Sequence, residues 1–467
     1  MTGDQDSGGA LEALRTAFTG GELLVEVPER HMSDWLMPAG PEVRPLALLR
    51  PRSTDQVAAA LRICHDHGVP VVPQGGLTGL AGGATPVAGA LLLSLELMKA
   101  IESIDPVSQT MIAGAGAPLQ SIQEAADAAG LMFPLDIGAR GSCQIGGNLA
   151  TNAGGNRVLR YGMARDLVLG LEAVLADGTV ISSMNRMLKN NAGYDLKQLF
   201  LGTEGTLGVI TRVVLRLVAR PRSMAVALCA FTDYAQLERF LLMTRAALGG
   251  ALSAFEVMWP DFYRLALSFE QRAAPLAEGA GAYALVEISS AGLDAEEQMA
   301  VFLEEAFGAG VVEDATMAQS LQQTQQIWSI RDRSGDIAHA FKPVGNFDVS
   351  VPTNLIGSFV DTCRARLLER WPGLAVIFFG HVVDGNLHLI AGNVTADDLP
   401  ALEEAVYDCV RDVGGSISAE HGIGLQKLEY LHYSRSAAEI DLMRRLKACL
   451  DPKSILNPGK VIHASGG

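Results

Sequence analysis

The run His381-Val382-Val383-Asp384-Gly385-Asn386-Leu387-His388 sets two imidazoles seven residues apart, and further along Ala419-Glu420-His421-Gly422 adds a carboxylate and a third imidazole. Two histidines and a carboxylate form a ligand set for zinc or a neighbouring divalent ion, and the remaining histidine is a spare base. The chemistry indicated is that of a catalytic metal site. Any one of these histidines alone is more often a hydrogen-bonded core residue; three of them beside glycines tip the reading toward a site. A spacing of seven could place His381 and His388 on one helix face, but Asp384-Gly385-Asn386 is turn chemistry that a helix interior disfavours. A strand, a turn and a second strand with one ligand on each side is therefore expected.

The elements around this site alternate. Ser53-Thr54-Asp55-Gln56-Val57 opens a helix with a hydroxyl cap, and its apolar face runs through Val57, Leu61 and Cys64 to a stop at Gly68. Val69 to Pro73 reads as a short buried strand, Ala90 to Leu95 and Thr110 to Ala113 as further strands, and Pro118 to Ala129 as a helix with proline in its first turn. Asp177-Gly178 reads as a hairpin turn between strands. The composition shifts after Arg220-Pro221-Arg222. Strand (225–231), helix (234–248), strand (283–288) and helix (294–307) then suggest a separate α+β sheet domain, with an Ala/Gly-rich loop over 273–282. Residues 437–450 read as an amphipathic helix closed by Asp451-Pro452. Trp35, Trp259 and Trp371 read as packing residues. His65 and His67 sit at a helix end, where histidine complements the dipole, and Cys143 reads as a small buried hydrophobe.

A chain of 467 residues with 49% hydrophobic content can bury a large core in two or three domains. The formal charge of −16 and the lack of clustered Lys and Arg argue against nucleic acid as a partner. Six cysteines without CxxC spacing encode neither an iron–sulfur cluster nor a zinc ribbon, and reduced cytosolic thiols are expected. Met1 to Ala10 is polar and glycine-rich, and no apolar stretch reaches the length of a membrane span. The expectation is a soluble cytoplasmic protein.

Two glycine-dense loops carry the second chemical signal. Pro73-Gln74-Gly75-Gly76-Leu77-Thr78-Gly79-Leu80-Ala81-Gly82-Gly83-Ala84 follows a strand, and so many glycines cost backbone entropy unless the main chain must approach something closely. Successive amides in such a loop form a concave donor nest suited to a pyrophosphate. The run 141–155, Gly141-Ser142-Cys143-Gln144-Ile145-Gly146-Gly147-Asn148-Leu149-Ala150-Thr151-Asn152-Ala153-Gly154-Gly155, supplies more amides and side-chain donors. The spacing is not the nicotinamide fingerprint; a long, extended dinucleotide fits both loops, and ordinary tight turns are the competing reading.

These loops, with Leu201-Gly202-Thr203-Glu204-Gly205-Thr206-Leu207-Gly208-Val209-Ile210-Thr211 and Leu456-Asn457-Pro458-Gly459-Lys460, resemble the FAD-binding segments of the vanillyl-alcohol oxidase and para-cresol methylhydroxylase flavoproteins. Within that group the DGNLH and SAEHGIG motifs resemble the FAD-linked D-2-hydroxyacid dehydrogenases, and the GSCQIGGNLATNAGG run is most similar to the hydroxyglutarate-oxidising members. The resemblance spans about Pro41 to Lys460. It implies an α+β fold: a two-subdomain FAD-binding domain (1–222), an α+β substrate or cap domain with an antiparallel sheet (223–410) and a C-terminal helical return to the FAD domain (411–467).

It also implies FAD in an extended form on the glycine loops, with Pro134, Leu135, Gly138, Glu204, Gly205, Gly208, Ile210 and Asn457 contributing. Some relatives attach flavin through a histidine where this chain has Gln74, so non-covalent FAD is expected. By resemblance, His381, His388 and Glu420 hold Zn2+ or another divalent metal, His421 is the base, Asn386 lines the pocket, and Arg331 of Trp328-Ser329-Ile330-Arg331 anchors the substrate carboxylate, as a planar guanidinium can. Two departures stand out. Val383 replaces a common glycine, and Asn346 stands where hydroxyglutarate-type enzymes often carry lysine, leaving Lys342 or Arg333 to pair a second carboxylate. The expected activity is oxidation of a D-2-hydroxy acid, D-2-hydroxyglutarate first, with electrons passed to an external acceptor such as an electron-transfer flavoprotein or a quinone. A homodimer is expected. A D-lactate or glycolate dehydrogenase of the same fold, a metal-dependent hydrolase with structural glycine loops, and a flavin-binding subunit without turnover are the alternatives.

Overall fold

Ser53 caps the helix Thr54–His67 by accepting a hydrogen bond from the Gln56 amide at 3.3 Å, and Gly68 ends it in the left-handed conformation at φ 69°. In the computed structural model, which describes residues 4–270 and 272–463, this helix belongs to the first of two units. The first unit comprises the chain up to Gly155, Gly162–Ala219 and the chain from Glu420 onward; the second comprises Asn156–Tyr161 and Arg220–Ala419.

In the first unit, β1 (Leu23–Leu24), β2 (Ala47–Leu49), β3 (Val71–Gln74) and β4 (Leu91–Ser94) form a sheet in the order β1-β2-β4-β3, with β2, β4 and β3 parallel. Parallel strands are covered on both faces, which is why β2 and β4 are buried throughout and read as continuous apolar runs. The next strands are β5 (Ile101–Asp105), β6 (Thr110–Gly114), β7 (Leu131–Met132), β8 (Val168–Val174), β9 (Val180–Ser183), β10 (Val209–Arg216) and β11 (Val218–Ala219). An antiparallel sheet runs β5-β6-β10-β8-β9, and β11 pairs with β7 as a small ribbon. The Asp177-Gly178 turn joins β8 to β9, with Gly178 at φ 82°. Pro118 is not in the first turn of its helix: it is the N-cap of Leu119–Ala128, with an extended ψ of 140°.

The end of the chain closes this unit. Leu456 bridges to Val71, and the Asn457 amide donates to the Val71 carbonyl at 2.8 Å. The Asn457 side chain donates to the carbonyls of Gly83 (3.0 Å) and Glu204 (2.7 Å), and Lys460 Nζ to those of Gly83 (2.9 Å) and Thr85 (2.6 Å). Three distant stretches of sequence are thereby held together by backbone carbonyls.

The second unit is built on β12 (Ser223–Phe231), β13 (Leu252–Met258), β14 (Ala282–Ser290), β15 (Asp314–Met317), β16 (Gly345–Ser350), β17 (Ala375–Gly380) and β18 (Asn386–Gly392), antiparallel in the order β15-β12-β14-β13-β17-β18-β16. The helices Tyr234–Leu248 and Ala295–Gly308 agree with the sequence pattern. The pattern gave no sign of β13 or of the helix Pro260–Ser268. One face of the sheet is apolar and buried under Phe262, Tyr263 and Ile327. Trp259 is buried and stacks on Tyr234 at 5.5 Å, but Trp35 is 72% exposed, so packing does not account for it.

Candidate functional site

The expected strand, turn and strand are present. His381 follows the last residue of β17, Val382–Asp384 form a tight turn, Gly385 is left-handed at φ 84°, and His388 lies in β18. Gly385 admits no side chain, because a Cβ there would meet the Val351 carbonyl. Strand pairing sets His388 opposite Phe379 on one side and Asp348 on the other. The rings of His381 and His388 stand 5.5 Å apart, edge to face.

Buried acids stand behind both rings. Glu256 of β13, 1% exposed, accepts from His381 Nδ1 at 2.5 Å through one oxygen and from Arg331 Nε at 2.7 Å through the other. Burial opposes ionisation of Glu256, but His381 and Arg331 outweigh it and pull its carboxyl down to about 2. Arg331 Nη2 lies 3.4 Å from His381 Nε2, and the guanidinium covers the Phe379 ring at 4.9 Å. Asp348, fully buried, accepts from Asn386 Nδ2 at 2.7 Å and lies 3.7 Å from His388 Nδ1. Burial also pushes the Asp384 carboxyl up to about 6, against the pull of His381.

Asn386 Oδ1 is buried without a hydrogen-bond partner. An orphaned carbonyl oxygen on the strand face that carries His388 fits a site for a hard or borderline cation. Asn346, half-buried, lies on the same strand face as Asp348, opposite Ile390. Lys342 is exposed at the end of the preceding helix, and Arg333 is engaged by Glu270 at 3.0 Å and Asp336 at 2.9 Å. Val383 is buried, and its carbonyl accepts from Arg245 at 3.1 Å.

The first unit holds a cavity of about 260 Å3. Its wall includes Pro73 to Gly79, Gly83, Gly146 to Asn148, Thr151, Gly154, Gly155, Glu204, Gly205, Gly208 and Ile210, and also Glu420 and His421. The glycines are needed for close approach: a Cβ on Gly76 would overlap the Ser142 carbonyl, and one on Gly146 would press into Ala115. Gln144 Oε1 and Asn148 Oδ1, both in this wall, are buried without partners. Unpaired buried acceptors among loop amides fit an extended polar ligand such as FAD. Gln74 is fully engaged with His31 Nδ1 (2.7 Å) and the carbonyls of His31 (2.9 Å) and Ala84 (3.0 Å).

Gly82, Pro134, Leu135, Gly138, Gly141, Ser142, Asn152 and Asn457 stand outside the cavity wall. Several of them shape it: Ser142 crowds Gly76, the Gly82 amide donates to Asp34 at 2.6 Å, and Asn457 fixes Gly83. Glu204 accepts from the amides of Ile423 (2.8 Å) and Gly424 (3.0 Å), which fixes the chain just after His421. Burial pushes Glu204 up against those amides, and pulls the neighbouring Lys460 down to about 7 against Glu204 and Asp34. Sequence reading passed over Gln144 as a ligand candidate and missed Glu256 and Asp348; a single acid within the apolar run Leu252-Ser253-Ala254-Phe255-Glu256-Val257-Met258 was the available signal.

Residues 45–183 match a family described as an FAD binding domain, and residues 220–461 one described as the C-terminal domain of FAD linked oxidases. The mitochondrial D-2-hydroxyglutarate dehydrogenase of Bos taurus is 42% identical over 421 residues, covering 89% of this chain and 76% of that one. The D-2-hydroxyglutarate dehydrogenase of Xanthomonas citri pv. viticola is 39% identical over 447 residues, 93% and 92% of the two chains. Among solved structures, p-cresol methylhydroxylase with substrate bound superposes with a TM-score of 0.75 at 16% identity, covering 98% of this chain and 97% of that one. Alkyldihydroxyacetonephosphate synthase gives 0.77 at 16% identity, covering 97% and 84%. These structural likenesses show a common fold, and the expected α+β flavoprotein architecture is the one observed. The chain belongs to the FAD-linked oxidases of the vanillyl-alcohol oxidase and p-cresol methylhydroxylase type, among the relatives of D-2-hydroxyglutarate dehydrogenase, and is an FAD-dependent oxidoreductase of CH–OH donors.

Proposed function

We propose that the protein oxidises a D-2-hydroxy acid, D-2-hydroxyglutarate first among candidates, to the 2-keto acid, using non-covalent FAD and a divalent cation such as Zn2+ held by His381, His388 and Glu420. The observation that supports it most is a half-buried imidazole, His421, in the wall of the same cavity as the glycine loops. The names of the relatives supply the substrate class. Chain continuity supports Glu420 as the third ligand: the amide of Ala419 donates to the Asp348 carbonyl at 3.3 Å, Asp348 pairs with His388, and Glu420 is the next residue.

FAD, when bound, supplies the hydride acceptor, and the cation supplies positive charge for the developing alkoxide. The protein's own residues bind, orient and deprotonate. Arg331, with Nε committed to Glu256 and Nη2 against His381 Nε2, has its remaining Nη hydrogens for the substrate carboxylate. His421 takes the hydroxyl proton at an imidazole nitrogen as the α C–H bond breaks. Asn386, its amide nitrogen held by Asp348, turns its oxygen toward the hydroxyl end. Gln74, engaged on both sides, has no nucleophilic group for a flavin bond. Electrons leave to an external acceptor, an electron-transfer flavoprotein or a quinone. No helix among the described residues is long and apolar enough to cross a membrane.

A monocarboxylate such as D-lactate is the second reading, favoured by the neutral Asn346 on the face shared with Asp348 and by the exposure of Lys342. The deciding experiment is anaerobic addition of each acid to metal-replete protein while following flavin absorbance. Bleaching by D-2-hydroxyglutarate supports the first reading, bleaching by D-lactate alone the second, and bleaching by neither overturns both.

A further inference from the structure

Glu256 contributes one carboxylate to two groups with different tasks. Its two oxygens are used separately, one by His381 Nδ1 at 2.5 Å and the other by Arg331 Nε at 2.7 Å. The strand register holds it there: Val257 pairs with Gly380, the residue before His381, and Met258 pairs with Phe379, on whose ring Arg331 lies. Glu256 is 1% exposed, so water does not replace either contact.

The contacts of His381 with Glu256 and Arg331 fit one tautomer of the neutral ring. An ionised carboxylate only accepts, so Nδ1 carries the proton. A guanidinium only donates, so Nε2, 3.4 Å from Arg331 Nη2, presents a lone pair. An imidazole whose Nδ1–H is held by a carboxylate is oriented and made more basic at Nε2, the arrangement that favours metal ligation. The other oxygen fixes the plane of Arg331, because a guanidinium held at Nε presents its outer edge in one direction.

We propose that Glu256 is a positioning residue that sets, through its two oxygens, both the tautomer of a metal-ligating His381 and the orientation of a carboxylate-binding Arg331. The inference rests on the functional reading above. It makes cation affinity and anion affinity properties of the same side chain, so that neither is lost alone when that side chain is altered.

Glu256→Leu is the test, since it fills a similar volume and removes both acceptor oxygens at once. Two quantities are measured without turnover: the Zn2+ dissociation constant by chelator competition, and the affinity of zinc-saturated protein for 2-oxoglutarate or oxalate by calorimetry. Both are expected to weaken about 10- to 100-fold while flavin content stays near that of the parent; the thermal midpoint is expected to fall, because the buried Arg331 loses its carboxylate. A change in only one affinity, or in neither, overturns the dual role. If the variant does not fold, nitrogen-15 NMR of the parent histidines decides the matter: His381, assigned by its loss in His381→Gln, must be the Nδ1–H tautomer, and an Nε2–H tautomer overturns the proposal. Parent protein that binds no Zn2+ removes the cation from the functional reading and this inference with it. Parent protein that binds Zn2+ and loses it on Glu256→Leu, yet bleaches with no hydroxy acid, refutes the functional reading alone.

Discussion

The carboxylate of Glu420 occupies the space that a Cβ on Gly154 would fill. Gly154 lies in the second glycine loop and Glu420 immediately precedes His421, so the loop fixes where that acid sits in the cavity wall. Gly154→Ala must displace the acid. The expected result is weaker retention of divalent metal and at least a tenfold loss of kcat/KM, with the flavin spectrum retained. Metal analysis after gel filtration and steady-state rates test this, and an unaltered metal content would remove Glu420 from the ligand set.

His421→Gln tests the base. General-base catalysis contributes about 10²- to 10⁴-fold, so the rate of anaerobic flavin bleaching should fall by that range while substrate affinity changes little. Stopped-flow absorbance reads the rate directly. A variant that bleaches at the parent rate would assign the proton to another group.

Glu204 receives two backbone amides in a buried setting, and Glu204→Ala leaves those donors unpaired. Buried unsatisfied groups cost about 1–3 kcal/mol each. The variant should unfold at lower denaturant concentration and lose flavin on dialysis, and retention of both properties would show that water reaches the Ile423 and Gly424 amides.

Asn346→Lys tests specificity. A cation on the face that carries Asp348 should favour a second carboxylate, raising the ratio of kcat/KM for D-2-hydroxyglutarate over D-lactate about tenfold, the equivalent of roughly 1.4 kcal/mol. No shift in the ratio would mean that the distal end of the substrate lies elsewhere.

Lys460 gives a pH dependence whose sign follows from linkage. Burial lowers its folded value to about 7 from the ordinary 10.5. Between those values the unfolded chain holds the proton and the folded chain does not, so this group makes the protein more stable as pH rises from 7 toward 10.5. Thermal midpoints of the parent relative to Lys460→Met should improve between pH 7 and pH 9. A difference that is flat or falls across that interval would show that Lys460 stays charged in the fold.

Local features were legible in the sequence and long-range ones were not. The Ser53 cap, the Gly68 stop, the Asp177-Gly178 turn and the Asp384-Gly385-Asn386 turn each depend on a few adjacent residues, and each reads correctly. Glu256 stayed hidden because its importance comes from the register of β13 against β17, two strands far apart in sequence whose adjacency is set only by the complete sheet. The same holds for Asp348, which reads as one acid in a strand until pairing sets it opposite His388. Pro118 was displaced by one position because an N-cap and a first-turn proline carry the same sequence signal. Trp35 is exposed, and its amide donates to the Gly79 carbonyl, a contact that any residue type could make.

The first unit is interrupted by Arg220–Ala419, and its first glycine loop is fastened by residues as late as Asn457 and Lys460. On the ribosome, at roughly 5–20 residues per second, that loop waits at least about ten seconds for the inserted unit to be made before its closing segment emerges. The inserted unit can fold during that interval, since its seven strands are contained within it. A chain that stalls before residue 457 should therefore leave a folded second unit and a first glycine loop without the bonds that fasten Gly83 and Thr85.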